Sequence, residues 1–388
     1  MKKMKKFACM VLASVMAVST LTACGDKAGQ ESAGGDTFKI GGIGPITGGT
    51  AVYGYAVKNG TQLAVDEINE AGGIAGKKIE YKFEDDENDP EKSVNAYNTL
   101  KDWGMQMLVG TTTSKPCTAV VAKTHEDNMF HLTPSATAVE SIQYDNAFRI
   151  CFSDPDQGKA SAIFVGEHDL AKKVAVIYDN SDPYSAGVYK SFAMEAENQP
   201  FEIVTADAFT ADSRTDFTVQ LQKAKDSDAD MVFLPIYYQE ASLILTQADK
   251  MGYKPQFLGC DGLDGLLAVK NFDKALAEGA VLITPFTADA QDEETQNFVK
   301  KYREKFDDDP IQFAADAYDS VYALKAAVEK AGVTPDMSVS DICDKMKAAM
   351  LEITVDGLTG KGITWSAEGE PTKEIKAVVI ENGKYKPM

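Results

Sequence analysis

The sequence has few of the side chains and none of the motifs on which enzyme chemistry most often depends. Its three histidines are His125, His131 and His168. The zinc-binding HExxH pattern, the GxSxG nucleophile elbow and the GxxxxGK[ST] phosphate loop do not occur in it. We interpret His125 and His168 as solvated helix residues and His131 as a buried or cleft-edge strand residue. The sequence therefore predicts a protein that is not an enzyme and that needs no cofactor and no metal.

Positive charge and paired cysteines are also scarce. Lysine and arginine total 39 against 59 acidic residues, which gives a formal net charge of −20. So acidic a chain argues against nucleic-acid binding, which depends on positive charge. After Cys24 the cysteines are Cys117, Cys151, Cys260 and Cys343, with neither a CxxC pair nor zinc-like spacing. Two disulfides and four buried free thiols both remain open.

A long hydrophobic run is found only near the N-terminus, and it is too short to span a membrane comfortably. Lysines at positions 2, 3, 5 and 6 precede an apolar run over residues 7–21, as in a signal peptide. The run ends in Leu-Thr-Ala before Cys24, which resembles a bacterial lipobox. We expect a signal peptide over residues 1–23, lipid on Cys24 and a flexible tether over residues 24–36. An ordinary signal peptide with an incidental cysteine is the alternative.

Strand and helix patterns alternate along the rest of the chain and begin a second series near residue 153. The predicted strands include residues 37–44, 78–85 and 256–259 and two stretches around 363 and over 375–380, and a helix is predicted over residues 339–350. This alternation predicts an α/β fold with two doubly wound, parallel-sheet lobes joined by a hinge of several crossovers. The helical stretch after residue 284 is expected to return to the first lobe. The predicted N-terminal lobe comprises residues 37–153 and 285–365, and the C-terminal lobe comprises residues 154–284 and 366–388. A ligand site is expected in the cleft between them.

The first predicted strand, over residues 37–44, runs into a glycine-rich turn before a helix predicted over residues 53–71. Glycines let main-chain amides approach a ligand, and a helix N-terminus favours negative charge. We interpret this stretch as the floor of a binding site, and a tight turn that binds no ligand is the alternative. A dinucleotide-binding loop is disfavoured, because Thr47 stands where the third glycine belongs. We attribute the acidic run at residues 84–89 to complementarity with the dipole of the following helix and to solvation rather than to calcium.

Hydroxyl groups cluster after two neighbouring predicted strands. Residues 110–114 read Gly-Thr-Thr-Thr-Ser and residues 133–137 read Thr-Pro-Ser-Ala-Thr, and Thr137 with Glu140 matches a capping box. Each threonine alone could be a helix cap. Two such N-termini at adjacent strand ends would nevertheless form a receptor for a carboxylate. Tyr184, Tyr237 and Tyr238 are expected across the cleft, together with Asp261, an acid suited to an ammonium group.

At these residues the chain resembles the branched-chain amino-acid-binding proteins of ABC importers, which have the type I periplasmic-binding fold. The resemblance covers about residues 37–388. It rests on motifs that are weak singly and specific as a set: residues 43–48 and 53–54, 132–137, 179–184, 237–240, the turn at 261, 313–319 and 357–362. Two departures are threonines where many relatives have serine, and tyrosine rather than tryptophan at position 53.

The resemblance implies a role for each matching position. One of Thr111, Thr112 and Thr113, together with Ser135 and Thr137, would hold the ligand α-carboxylate, Ser135 mainly through its main chain. Asp261 would pair with the α-ammonium group, helped by the Ser135 carbonyl and by Tyr184. Tyr53, Tyr238 and Phe313 would line the side-chain pocket.

The function that the resemblance implies is capture of a small amino acid, such as leucine, isoleucine or valine, by an extracytoplasmic, lipid-anchored and monomeric protein. The closed form would deliver its ligand to a membrane permease. A ligand-sensing receptor component, a binder of a small amide, urea or aromatic acid, and an exported hydrolase are the alternatives.

Overall fold

A computed structural model of the chain describes residues 35–388. The predicted signal peptide, Cys24 and all but the last two residues of the predicted tether lie outside the described residues. Within the described part, no helix combines the length and apolar character that a membrane crossing requires.

Strands and α-helices alternate through most of the described chain. The strands are β1 (Thr37–Gly44), β2 (Lys78–Asp85), β3 (Met107–Val109), β4 (Phe130–Thr133), β5 (Ala147–Arg149), β6 (Lys173–Asp179), β7 (Glu202–Phe209), β8 (Met231–Leu234), β9 (Gln256–Gly259), β10 (Val281–Ile283), β11 (Ala377–Glu381) and β12 (Lys384–Pro387). The helices are α1 (Ala51–Glu70), α2 (Pro90–Asp102), α3 (Ser114–Glu126), α4 (Asp154–Glu167), α5 (Pro183–Ala196), α6 (Thr218–Asp226), α7 (Tyr238–Lys250), α8 (Glu293–Phe306), α9 (Gln312–Ala331) and α10 (Val339–Met350).

The strands form two sheets in which parallel pairing dominates. The first sheet has the order β2-β1-β3-β4-β5, and all its strands are parallel. The second has the order β12-β11-β10-β9-β8-β6-β7, and only β11 and β12 join it by antiparallel pairing. Every residue of β3, β4 and β8 is buried, as in parallel strands covered on both faces. The predicted α/β class with two doubly wound sheets is confirmed.

The chain passes between the two sheets three times. It leaves the first sheet after β5, returns after β10, and crosses again before β11. Between the last two crossings, α9 and α10 pack on the first sheet: Val321 and Met346 share a hydrophobic core with Ile40 of β1. The lobe boundaries at residues 153, 284 and 365 stay predictions.

The acidic run at the end of β2 caps α2 and forms hydrogen bonds to the glycine-rich turn. Asp89 is the N-cap of α2, and its carboxylate accepts hydrogen bonds from the main-chain N–H groups of Glu91 and Lys92 at 2.9 Å. Asp85 accepts hydrogen bonds from the Ile46 N–H and from the Thr47 hydroxyl, at 2.9 and 2.7 Å. Asp89 therefore lies at the N-terminus of α2, where its negative charge complements the helix dipole as predicted.

Two local expectations were wrong, and one strand was missed. The strand expected around Ile363 is a single bridge between Val355 and Ile363, and strand β12 was not predicted. The predicted capping box at Thr137 does not form, because a short 3-10 helix over Val139–Ile142 begins there with Ala138 as its N-cap and without a side-chain cap.

Candidate functional site

A small cavity lies where the ends of strands from both sheets meet. Its free volume is about 10 Å3, close to the space that one water molecule needs. The cleft is therefore nearly closed, and a ligand the size of an amino acid requires its walls to separate. The lining residues are Thr112, Thr113, Ser114, Ser135, Thr137, Tyr184, Tyr237, Asp261, Gly262 and Phe313.

One wall consists of the two hydroxyl-rich loops after β3 and β4, and hydrogen bonds hold these loops together. The Ser135 hydroxyl donates to the Thr112 carbonyl at 2.6 Å, and the Thr133 hydroxyl donates to the Thr111 carbonyl at 2.8 Å. Thr112 in turn donates its main-chain N–H to the Ile43 carbonyl at the end of β1, at 3.1 Å. Hydrogen bonds thus tie the two loops together, and the side chains that they contribute to the cavity are uncharged and rich in hydroxyl groups.

Helix α3 begins in this wall. Its N-cap, Thr113, donates its hydroxyl to the Asn88 side chain at 2.7 Å and makes no side-chain cap to the helix. The first N–H groups of a helix have no intrahelical partners, and they carry partial positive charge. Ser114 accepts hydrogen bonds from the N–H groups of Thr137 and Ala138, at 3.0 and 3.1 Å. This wall therefore suits an anion, although only one of the two expected α-helix N-termini contributes to it.

The opposite wall carries a buried acid on the turn after β9. Asp261 begins a short 3-10 helix, is 5% exposed, and donates its main-chain N–H to Gln157 Oε1 at 3.1 Å. Among residues 35–388 its Oδ1 atom has no hydrogen-bond partner. Burial raises the pKa of Asp261 to about 7, although the side chains of Tyr184 and Gln157 offset part of the rise. This wall is therefore suited to a cation.

Aromatic rings form the remaining sides. The rings of Tyr53 and Phe313 stack with centroids 4.3 Å apart, and Tyr238 meets Tyr53 edge-on at 4.9 Å. Tyr184 and Tyr237 stack at 5.2 Å with almost parallel planes. The Tyr53 hydroxyl donates to the Gly262 carbonyl and accepts from the Tyr238 N–H at 3.2 Å. Helix α1, which follows β1, is thereby joined to loops that follow strands of the second sheet.

Gly262 allows these groups to approach closely. A Cβ atom at this position would lie 2.6 Å from the Ile236 carbonyl oxygen and 2.6 Å from the Tyr184 hydroxyl. The Gly262 N–H donates to that hydroxyl at 3.1 Å. The turn that carries Asp261 is therefore fixed against Tyr184 only because residue 262 has no side chain.

The cavity brings together most of the residues predicted to form the site. Thr112, Thr113, Ser135, Thr137, Tyr184, Asp261 and Phe313 line it. Tyr53 and Tyr238 are buried behind this lining, and Thr111 is buried within its loop. Three lining residues had no predicted role: Ser114, Tyr237 and Gly262. Ser114 belongs to the predicted hydroxyl run and Tyr237 was expected across the cleft, whereas no sequence pattern indicated Gly262.

The larger cavity near α8 is a weaker candidate. Its free volume is about 490 Å3, and it lies between the start of α8 and the loop at residues 357–362. Charged groups at its rim pair with each other, as Lys361 does with Glu294, and both side chains are more than half exposed. The small cavity instead combines a donor-rich wall with a buried carboxylate, which is the complementarity that a zwitterion requires.

Comparisons with known proteins identify the family to which the chain is similar. A family model described as "Periplasmic binding protein" matches residues 37–384. The chain is 28% identical, over 79% of its length and 82% of the relative's, to the leucine-, isoleucine-, valine-, threonine- and alanine-binding protein of Pseudomonas aeruginosa.

Two solved structures show the same architecture. The branched-chain amino acid transporter substrate-binding protein of Streptococcus pneumoniae, in complex with isoleucine, has a TM-score of 0.81 and 33% identity over 90% of this chain and 98% of its own. A solute-binding protein of an ABC transporter from R. palustris, in complex with benzoate, has a TM-score of 0.79 and 21% identity over 91% of this chain and 95% of its own. The second likeness concerns the fold alone.

Proposed function

Because the chain belongs to the periplasmic binding protein family, we propose that it captures a small α-amino acid, with leucine, isoleucine or valine the best candidates. One observation carries the proposal. In the cavity, the uncharged, hydroxyl-rich loops after β3 and β4 face the buried Asp261. Asp261 forms no salt bridge among the described residues. A zwitterion supplies a carboxylate for the first wall and an ammonium group for the second.

The proposed roles follow the contacts of each group. The start of α3, with Thr112, Thr113 and Ser114, receives the carboxylate together with the Ser135 main chain and Thr137. Asp261 receives the ammonium group. Phe313 and Tyr237 contact the ligand side chain, and Tyr53 and Tyr238 hold these rings from behind.

The proposed mechanism is capture without turnover. The free volume of about 10 Å3 is far below that of an amino acid, so the two lobes, 37–153 with 285–365 and 154–284 with 366–388, must separate to admit a ligand. The three crossings act as the hinge, and closure buries the ligand between the walls. We propose that the monomeric closed form delivers the ligand to an ABC permease.

The location of the protein is part of the proposal. The family is one of periplasmic proteins, and residues 1–23 have the pattern of an exported chain. We propose cleavage before Cys24 and anchoring to the membrane by lipid on that residue. Mass spectrometry of the mature N-terminus tests this: a diacyl mass on Cys24 is expected, and an unmodified N-terminus would contradict it.

Isothermal titration tests the ligand class. The soluble body, residues 37–388, is stripped of ligand by partial unfolding and refolding, and then titrated with single amino acids, small amides, urea and benzoate. One-to-one binding of leucine, isoleucine or valine, with no product detected by chromatography, is expected. A response only to an amide, urea or benzoate would contradict the amino-acid proposal while keeping capture. No response to any compound would favour a sensing role for a different ligand.

A further inference from the structure

Helix α9, which places Phe313 in the wall of the cavity, begins without a cap from its own sequence. Its N-cap position is Ile311, whose side chain has no hydrogen-bonding atom. The first N–H groups of a helix have no intrahelical partners, and an N-cap Ser, Thr, Asp or Asn ordinarily satisfies one of them. The first turn of α9 contains no acidic residue either. The start of α9 is therefore stabilised by another part of the chain.

The cap comes from Asp264, which lies 48 residues before the helix start. Its Oδ2 atom accepts a hydrogen bond from the main-chain N–H of Gln312, the first residue of α9, at 2.7 Å. Asp264 is 5% exposed and Gln312 is 2% exposed, so the bond is shielded from water. Asp264 forms no salt bridge within residues 35–388. The partial positive charge at the helix start complements its carboxylate.

The turn that carries Asp264 also carries Asp261. Residues Asp261–Leu263 form a short 3-10 helix, and Asp264, its C-cap, donates its main-chain N–H to the Asp261 carbonyl at 2.9 Å. Two hydrogen bonds therefore connect the main chain of Asp261 to the first residue of α9. Phe313 is the next residue and lines the cavity. The turn after β9 thus contacts the helix that supplies an aromatic ring to the site.

A second contact holds the same helix residue. The Thr284 hydroxyl donates to the side-chain carbonyl of Gln312, and Thr284 directly follows β10. Thr284 is also buried. Gln312 is therefore attached, through its main chain and its side chain, to the segments that follow β9 and β10 in the second sheet.

The first turn of α9 also packs closely on α1. A Cβ atom at Gly60 of α1 would lie 2.1 Å from the Ala314 carbonyl oxygen, so this approach requires that residue 60 has no side chain. Tyr53 of the same helix stacks on Phe313 with ring centroids 4.3 Å apart. Because protein interiors are close-packed, a shift of the start of α9 would move the Phe313 ring.

We propose that Asp264 is a positioning residue of the ligand site: by capping α9 it fixes Phe313 against the ligand side chain, and it thereby sets the preference for a large apolar side chain over a small one. The inference rests on the proposed function. Asp264 does not line the cavity, so it acts through α9 and not by contact with the ligand. Its loss should weaken most the ligands whose side chains reach Phe313.

Titration with isoleucine and with alanine tests this role. Both ligands present the same carboxylate and ammonium groups, and they differ only in the side chain that Phe313 is proposed to contact. Alanine is titrated in competition with isoleucine, which also quantifies weak binding. Asp264→Ala should lower the ratio of isoleucine affinity to alanine affinity by about tenfold, the worth of one methylene group in an apolar pocket. Asp264→Asn keeps an acceptor oxygen and should retain most of the wild-type ratio.

The affinity ratio separates positioning from a general loss of structure. A purely structural role would weaken both ligands equally, and an unchanged ratio in Asp264→Ala would overturn the inference. Asp249→Ala, at an exposed carboxylate on α7, is the matched control and should change neither affinity. Failure of the wild type to bind any amino acid would overturn the proposed function, on which the inference rests.

Substitutions at Gln312 test the same hydrogen bond from the helix side, and they decide the question if Asp264→Ala does not fold. Proline is favoured at the first position of a helix and has no N–H, so Gln312→Pro removes the donor to Asp264 and is compatible with the start of α9. Gln312→Met removes the contact with Thr284 but keeps the N–H, and it is the matched comparison.

The two Gln312 variants should differ in the affinity ratio. Gln312→Pro should lower the ratio about as much as Asp264→Ala does, and the two changes together should lower it little further, because both remove one interaction. Gln312→Met should stay closer to the wild type. Equal ratios in Gln312→Pro and Gln312→Met would show that the hydrogen bond to Asp264 does not position Phe313, and the inference would fail.

Discussion

Lys373 and Asp316 form an ion pair of 2.9 Å in which both side chains are almost fully buried. Asp316 lies one turn after Phe313 on α9, and Lys373 belongs to the third crossing between the sheets. The Lys373 ammonium group also donates to the Ile150 carbonyl at 2.8 Å and to the Thr359 hydroxyl at 2.6 Å. One lysine thus joins the first crossing, the third crossing and the helix that carries a lining residue of the cavity.

Replacement of Lys373 by methionine should destabilise the protein by about 3–5 kcal/mol, because it leaves Asp316 buried and without its partner. The free energy of unfolding in urea measures the loss. Lys345→Met, at an exposed position on α10, should change it little. Replacing Asp316 by leucine in the Lys373→Met background should recover part of the loss. A loss below about 1 kcal/mol in the single variant would show that the pair is not important for stability.

Asp261→Asn should abolish binding and stabilise the ligand-free protein. The folded-state pKa of Asp261, about 7, lies above the ordinary value, so the folded state binds more protons than the unfolded chain between about pH 4 and pH 7. The contribution of this carboxyl to stability is thus present at low pH and is lost as the pH rises through about 7. At pH 8 the free energy of unfolding of the variant should exceed that of the wild type by on the order of 1–3 kcal/mol. Urea unfolding at pH 5 and pH 8 measures the change, with Asp249→Asn as the control.

Two outcomes would contradict this prediction. Retained affinity for amino acids in Asp261→Asn would remove Asp261 from the ammonium site. Equal effects of the substitution at pH 5 and pH 8 would show that the carboxyl titrates normally in the folded protein.

His131 should make the protein less stable at low pH, whereas Asp261 should make it less stable at high pH. It is fully buried in β4, with Nδ1 3.4 Å from the Thr124 hydroxyl and Nε2 3.8 Å from the Cys117 thiol. Burial lowers the pKa of His131 to about 4. The unfolded chain binds a proton near pH 6.5 and the folded protein does not, so this contribution is present above about pH 6.5 and is lost as the pH falls toward 4.

In His131→Gln, the decrease of the free energy of unfolding between pH 6.5 and pH 4 should therefore be smaller than in the wild type by about 2–3 kcal/mol. The readout is the change of unfolding free energy with pH, which is independent of any constant cost of the substitution. His125→Gln, at an exposed histidine, should keep the wild-type slope. An unchanged slope in His131→Gln would mean that another group causes the acid sensitivity.

The sequence predicted elements well wherever local pattern and tertiary role agree. The bounds of β1, β2, β9 and α10 coincide with the prediction, because each is a regular run closed by turn residues or caps. Strand β12 was not predicted because it is a short, polar segment that pairs only with β11 at the sheet edge. The stretch around Ile363 alternates like a strand, but only one bridge forms there.

The site was predictable in its chemistry and less so in its details. Hydroxyls after β3 and β4 and an acid after β9 converge because the carboxyl ends of parallel strands share an edge. Which of two adjacent tyrosines faces the cavity depends on where α7 begins: Tyr237 is its extended N-cap, and Tyr238 is its first helical residue. The Lys373–Asp316 pair joins residues far apart in sequence, so no local pattern indicates it.

Gly262→Ala should weaken amino-acid binding by about tenfold or more, because the added Cβ would lie 2.6 Å from both the Ile236 carbonyl and the Tyr184 hydroxyl and would displace the turn that carries Asp261. Overpacking of this kind typically costs about 1–3 kcal/mol. Gly49→Ala is the matched control, since its Cβ would meet only Gln239 Cγ at 4.0 Å. Titration with isoleucine and thermal unfolding of both variants measure the effects. Wild-type affinity in Gly262→Ala would show that ligand binding does not depend on the contact between this turn and Tyr184.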